Sequence, residues 1–402
     1  MILYWLYDLV LLLALPFIRK RGHHYRRLFL PIPDAKGKET IWIHAVSVGE
    51  VKAFQPLFFP LKKRFPDAFF LLTCATKTGM KEAERSYPQG IAFSYLPYDL
   101  SWIVRRWTLA LTPRLLLFIE GDLWPNLMKY VHKNQGKIAV VSAKLSSRSA
   151  KRHAYVPSLS KQFFSYVDLL LAKSQEHYDR FLPFISPSKL HLLGNLKWDL
   201  MPSQIAPLPF PLPSRAIFTI ASTHKGEEEL LLDHLPLERL FLILAPRHPE
   251  RFDQVAALLE ERKIPFFRWS ALAQNKDEPQ VLLMDAMGQL PSCFAKSHLT
   301  IVAGSFVPGI GGHNLFEPCL YGSPVLFGPY AFSQKELAAE IEQSGAGKEI
   351  SIENLRDEVS RFFTHPAVEE KARADVETLT HSVRGVGERA MTHLQTLFLE
   401  KV

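Results

Sequence analysis

From Thr40 onward, short apolar runs alternate with longer amphipathic segments, and that alternation leaves few folds open to the chain. The runs Thr40–Ala45, Phe69–Cys74, Ile91–Tyr95, Leu115–Ile119, Lys137–Ser142 and Leu169–Ala172 are four to six residues long. They suit fully buried strands, and the segments between them suit helices. Residues 201–213 (MPSQIAPLPFPLP) then carry five prolines, too many for a helix or a central strand, and read as a linker. Beyond it the alternation restarts with Ala216–Ala221, Leu240–Ala245, Val281–Met284, Leu299–Ala303 and Pro324–Phe327. The expected architecture is α/β, with two Rossmann-like domains that face a cleft, each a parallel sheet covered on both faces. The expected boundaries are an N-terminal segment at 1–30, a first domain at 31–200, the linker at 201–213 and a second domain at 214–402 that includes the terminal helices. A chain of 402 residues has the length for two cores.

The first thirty residues break the pattern. Met1 to Ile18 is almost wholly apolar, with Asp8 its one charge, and is followed by Arg19, Lys20, Arg21, Arg26 and Arg27 with no acid. Such a stretch is at the short limit for crossing a bilayer, and Pro16 is expected to kink or stop its helix. No charge precedes it and no small-residue cleavage site follows, so a signal peptide fits poorly. It reads as a membrane anchor, spanning or monotopic, whose basic flank stays cytoplasmic and faces anionic headgroups. A net charge of +8 favours anionic partners. Cys74, Cys293 and Cys319 are too few and too scattered for a disulfide framework or a metal knuckle.

Polar residues gather just after the strands, where parallel sheets bind ligands. His44-Ala-Val-Ser-Val-Gly-Glu50 follows the first run and Glu120-Gly-Asp122-Leu-Trp-Pro-Asn126 the fourth. Glu50 is either a helix-capping acid or, with Glu120, one of two acids on one pocket that supply a base and its partner. Lys197 in Gly194-Asn195-Leu-Lys197-Trp-Asp199 is either a solvated lysine or a charge directed at phosphate. In the second half, Ser222-Thr-His-Lys-Gly-Glu227 reads as a capped helix start, and Arg247 within PRHPER as a fork for phosphate or carboxylate. Asp285-Ala-Met287-Gly288-Gln289-Leu290 follows the third run. A glycine loop from Gly309 to Gly312 then leads through His313 and Asn314 to Glu317, offering N–H groups and a helix start to a phosphate. The glycine spacing matches neither the dinucleotide fingerprint nor the P-loop. No metal-ligand motif is present, and neither metal nor cofactor is expected.

These segments resemble the lipid A Kdo (3-deoxy-D-manno-octulosonic acid) transferases of Gram-negative bacteria, inverting glycosyltransferases of the GT-B architecture. The resemblance runs over essentially the whole length, through HAVSVGE (44–50), LPYDL (96–100), IEGDLWPN (119–126), SAKLSSRS (142–149), GNLKWD (194–199), ASTHKGEEE (221–229), PRHPER (246–251), DAMGQL (285–290) and GGHNLFEP (311–318). It implies a base at Glu50, transition-state support from Glu120 and Lys197, and a CMP pocket. That pocket would be made by Pro246, Arg247, Met287, Gly288, Gln289, Asn314, Leu315, Phe316 and Glu317. It implies CMP-Kdo as donor, a lipid A precursor as acceptor, no nucleic acid, and attachment to the cytoplasmic face of the inner membrane. Glu-Gly-Asp before Leu-Trp-Pro, Ser142-Ala-Lys144, Gly288-Gln289 and Tyr330 depart from the commoner family pattern. A sugar-nucleotide epimerase of the same architecture, and a non-catalytic lipid-binding module, are the rival readings.

Overall fold

The computed structural model describes residues 2–19, 27–87, 89–200, 213, 215–274 and 279–398. Of the expected linker only Pro213 falls among them, and Lys20, Arg21 and Arg26 of the basic flank lie outside them. The chain forms two compact units, Met1–Leu200 with Arg384–Val402, and Met201–Val383.

The first unit holds strands β1 (Thr40–His44), β2 (Phe69–Cys74), β3 (Ala92–Tyr95), β4 (Pro113–Ile119), β5 (Lys137–Ala143), β6 (Leu169–Ala172) and β7 (Leu190–Leu192). They form one sheet in the order β3-β2-β1-β4-β5-β6-β7, with every pairing parallel. The second unit holds β8 (Ala216–Thr223), β9 (Leu240–Pro246), β10 (Phe266–Arg268), β11 (Val281–Leu283), β12 (Leu299–Val302), β13 (Val325–Phe327) and β14 (Gly347–Glu349). Its sheet runs β10-β11-β9-β8-β12-β13-β14, again all parallel.

Successive residues of a strand point to opposite faces, so a near-continuous apolar run fills two cores at once. In the first sheet Ile41, Ile43, Leu115, Leu117 and Ile119 enter one core. Their neighbours Trp42, Leu116, Phe118 and Val140 enter the other. Phe218, Ile220, Leu242 and Leu244 are divided in the same way from Ile217, Phe241 and Ile243 in the second sheet. The central strands were therefore visible as runs. Three strands escaped the sequence reading: Leu-His-Leu of β7, Phe-Phe-Arg of β10 and Gly-Lys-Glu of β14. All three are sheet edges, where one flank has no strand to pair and apolar content is not required.

The last helix, Val386–Thr396, corrects the expected boundary of the second domain. It packs on the first unit, burying Val386, Ala390, Met391 and Leu394 in that core. The Gly387 N–H donates to Asp199 Oδ2 at 2.6 Å. A Cβ at Gly387 would stand 3.1 Å from Pro56 Cβ, so glycine permits the close approach.

The N-terminal helix runs from Ile2 to Arg19, continuing through Pro16 instead of ending there. A proline removes one backbone bond to the preceding turn, and the rest of the ladder carries on. Asp8 ties the helix to the first unit: its Oδ1 accepts from the Ser101 N–H at 3.1 Å and from Asn126 Nδ2 at 2.7 Å. Tyr7 hydrogen-bonds to Asp99. The other face leaves Trp5, Leu6, Leu9, Val10, Leu12 and Leu13 exposed. Among the described residues no helix is long and apolar enough to cross a membrane. Arg27 does not face headgroups as expected for the flank; it is buried, donates to Leu96 O and lies over the Tyr98 ring.

Candidate active site

The first strand of each sheet lies beside a strand from the later half of its unit, β1 beside β4 in the first and β8 beside β12 in the second, so the strand order reverses at those points. Loops diverge at such a point and leave a crevice at the C-terminal strand ends. Glu50 follows β1 and Glu120 follows β4, so the two acids flank the first crevice.

Glu50 sits in the first turn of the helix Val48–Ala53 and is almost fully buried. Its Oε2 accepts the Val46 N–H at 2.6 Å, and its Oε1 lies 3.8 Å from Lys144 Nζ. Burial is the main influence and pushes its carboxyl above the usual glutamate range. The Val46 N–H and Lys144 oppose that shift, while Glu120 and Asp122 reinforce it. Glu120 is only 3% exposed and meets Lys144 at 2.6 Å through Oε2 and Lys197 at 2.5 Å through Oε1. Burial works against its charge, yet Lys197 and Lys144 outweigh burial and hold this carboxyl at about 2. Two neighbouring glutamates thus carry opposite shifts, Glu50 above and Glu120 below the ordinary glutamate range.

Backbone geometry enforces the arrangement. Glu120 and Asp122 take φ of 63° and 54° on either side of Gly121, a left-handed conformation that costs energy outside glycine. The Glu120 N–H donates to Val141 O at 2.9 Å, and its carbonyl accepts the Lys144 N–H at 2.7 Å, which stitches the loop to β5. Ser142, at φ 56°, is an extra residue in β5 that shifts its register against β6 and turns Lys144 toward the acids. A Cβ at Gly49 would come 3.4 Å from Lys197 Nζ, so glycine there lets the lysine lie close.

Trp124 has a positioning role as well as packing. Its Nε1–H, a donor only, points at His44 Nε2 at 3.3 Å. His44 must accept there, which puts its own proton on Nδ1, 3.0 Å from Thr73 O. Full burial drives the His44 pKa down to about 3, consistent with that neutral ring. Asn126 turns away from the acids. Its side chain bonds Asp8 and the Asp99 carbonyl, while Asp99 caps the helix Pro125–Lys133 through the Asn126 and Leu127 N–H groups at 2.9 and 2.7 Å.

In the second unit the loops after β8, β9, β11 and β12 converge at one sheet end. Glu227, read from sequence as part of a capped helix start, is fully buried. It accepts N–H bonds from His224 (2.9 Å), Gly304 (2.8 Å) and Phe306 (3.0 Å), joining the β8 and β12 loops across the crevice. Glu228 is held bidentate by Arg251 at 2.6 and 2.9 Å. Both acids are therefore structural. His224 and His313 stack and share an Nε2···Nε2 contact of 2.8 Å. A Cβ at Gly304 would press within 2.7 Å of His313. Burial, and then the neighbouring His224 and Arg247, push His313 down to about 4, so it is neutral at pH 7. Arg247 is exposed after β9 and has no carboxylate partner among the described residues.

The remaining residues expected in the nucleotide pocket divide. Met287 is exposed, and Gly288, at φ 84°, has open space where a Cβ would stand. Pro246 is the buried end of β9. Asn314 Oδ1 accepts the Phe316 N–H at 3.1 Å. Leu315 and Phe316 are buried in the core, so only their backbone can face a ligand. Glu317 lies in a helix of just five residues, Phe316–Leu320. A one-turn helix carries little dipole, so the loop's own N–H groups matter more than the expected helix start. Gly309, Gly311 and Gly312 all take positive φ, which only glycine adopts readily. The sequence reading missed the roles of Lys144 and Glu227. A lysine just past a strand run beside the acidic loop was the available signal for Lys144.

The sequence model of the family described as 3-deoxy-D-manno-octulosonic-acid transferase (kdotransferase) matches residues 19–200. The 3-deoxy-D-manno-octulosonic acid transferase of Chlamydia trachomatis is 32% identical over 342 residues, 82% of this chain and 79% of its own. That of Haemophilus influenzae is 34% identical over 311 residues, 74% of this chain and 73% of its own. Among solved structures, the UDP-GlcNAc 2-epimerase of Neisseria meningitidis bound to UDP-GlcNAc matches 90% of this chain and 100% of its own, with a TM-score of 0.63 at 14% identity. At that identity the likeness establishes a GT-B-like fold of two parallel-sheet α/β domains and nothing about chemistry. The choice among rival readings of that fold rests on the closer relatives, and by their measure the chain belongs to the 3-deoxy-D-manno-octulosonic acid transferase family of glycosyltransferases.

Proposed function

We propose that the enzyme transfers Kdo from CMP-Kdo to a primary hydroxyl of a lipid A precursor, by one displacement with inversion at the anomeric C2. The observation that carries this reading is the split between Glu50 and Glu120. A base works best when its pKa lies near the working pH, and burial moves Glu50 in that direction. Glu120, locked between Lys144 and Lys197, stays charged and keeps both cations in place. Glu50 takes the hydroxyl proton as that oxygen forms its bond to C2. The C2–O bond to the phosphate breaks, and CMP leaves with the electron pair. Arg247 and the glycine-loop N–H groups are the second unit's candidates for the donor phosphate, and Lys197 supplies positive charge beside the base.

We infer further that the N-terminal helix lies in the cytoplasmic interface of the inner membrane and does not cross it. Its polar face is occupied by the Asp8 and Tyr7 contacts, and its exposed face is apolar, with Trp5 suited to headgroup depth. Mass spectrometry of a tetra-acylated lipid A precursor incubated with the enzyme and CMP-Kdo tests the reaction. The expected product is heavier by whole Kdo units, with one CMP released per unit. Absence of both product and CMP release would overturn the reading.

A further inference from the structure

The first unit contains a cavity of about 880 Å³ lined by Glu120, Asp122 and Lys144 and by residues of the helices Ser147–Tyr155 and Pro157–Phe164. Much of its lining is apolar, including Leu145, Leu159, Phe163, Phe164 and Phe181, interrupted by His153, Ser160 and His177. Two more wall residues, Leu6 and Val10, come from the N-terminal helix. They are also 54% and 55% exposed, so the outward apolar face of that helix continues without a break into the cavity. The helix Ser147–Tyr155 buries none of its residues. Arg152 lines the cavity from this helix, and Arg148 and Lys151 stand exposed on the same turns.

We propose that this cavity holds one fatty acyl chain of the acceptor, entering along the N-terminal helix, while the cations of the helix Ser147–Tyr155 meet the acceptor's phosphate. The proposal rests on the acceptor named above. An apolar cavity of this size falls within the range of ligand pockets, and its leucine and phenylalanine side chains suit buried hydrocarbon. The cavity joins the three kinds of group a phosphorylated glycolipid would meet: acids for the reacting hydroxyl, a basic helix for phosphate and an apolar lining for hydrocarbon. The N-terminal helix then serves as the wall of the lipid's entry path as well as an attachment.

The test fills the cavity with Leu159→Trp, whose side chain projects from a half-buried position into existing space. Kdo transfer is measured with the tetra-acylated disaccharide and with the same phosphorylated disaccharide stripped of its acyl chains, alongside fluorescence titration with dansyl-undecanoic acid and a thermal melt. The wild-type enzyme should favour the acylated acceptor in kcat/KM. Leu159→Trp should cut that preference about tenfold, the loss expected when one or two methylenes are no longer buried. It should also weaken the dansyl probe by a similar factor at an unchanged thermal midpoint. An unaltered preference together with unaltered probe binding would overturn the proposal. If neither acceptor is glycosylated by wild type, the assigned reaction fails, and probe binding alone decides the cavity. Should Leu159→Trp not fold, Leu159→Ser makes the same wall polar and is held to the same two readouts.

Discussion

The two crevices occupy equivalent places in their sheets and use their charges in opposite ways. In the first unit carboxylates and lysines are paired with one another: Glu120 with Lys144 and Lys197, Glu50 at the fringe of the same cluster. In the second unit the buried carboxylates are taken up by the scaffold, Glu227 by three backbone N–H groups and Glu228 by Arg251. That leaves Arg247 and the glycine-loop N–H groups for an anion. In the proposed reaction the first crevice moves a proton and the second receives negative charge. Position in the fold nominates a site; the partner of each charge says what it does.

The largest effect that would break this contrast is on Glu50. Glu50→Gln keeps an acceptor for the Val46 N–H but cannot take a proton, so kcat should fall about 10²–10⁴-fold with CMP affinity unchanged. The sign of its effect on stability separates a base from a cap. Folding raises this carboxyl's pKa, so its favourable contribution is present only below the unfolded value and is lost as pH rises through the folded one. At pH 7 the charge therefore costs stability, and the variant's thermal midpoint should not drop. A helix-capping acid would instead show a lower midpoint and normal turnover.

Glu227→Ala should produce the next largest effect, on stability. It strands the His224, Gly304 and Phe306 N–H groups, two of them in the β12 loop, at a cost of about 3 kcal/mol or more. The thermal midpoint should fall by roughly 10 °C, with CMP binding lost as the loop loosens. A stable variant with normal CMP affinity would return Glu227 to the capping role first read for it. Arg247→Ala is the smallest step: about a tenfold weaker CMP dissociation constant by calorimetry, at an unchanged midpoint. An unchanged constant would remove Arg247 from the anion site.

What could be read beforehand follows from what each residue answers to. The central strands announce themselves because both of their faces are buried. Glu50, Glu120 and Arg247 were legible as polar residues placed just after such runs, and Lys197 as a cation at the end of the first domain. Edge strands such as β14 were not, since Gly-Lys-Glu carries no apolar signature. Nor was Glu227: its partners Gly304 and Phe306 lie nearly eighty residues away, and only the strand order brings them together. Asp8 looked like a flaw in an apolar helix until Ser101 and Asn126 supplied its partners. The last helix was assigned by chain order, whereas its apolar stripe fits the first core.

The opposed ionisation of Glu50 and Glu120 is the hinge of this account, and carboxyl titration followed by carbon-13 NMR observes it directly. Protein labelled at the glutamate side-chain carboxyl would be titrated in parallel with Glu50→Gln and Glu120→Gln, whose missing signals assign the two resonances. The Glu50 signal should titrate above the usual glutamate range, while Glu120 should remain ionised until the pH approaches about 2. The stability that Glu120 contributes should then be present at neutral pH and lost as the pH falls toward that value. If Glu120 titrates above Glu50, the roles assigned to the two acids are reversed.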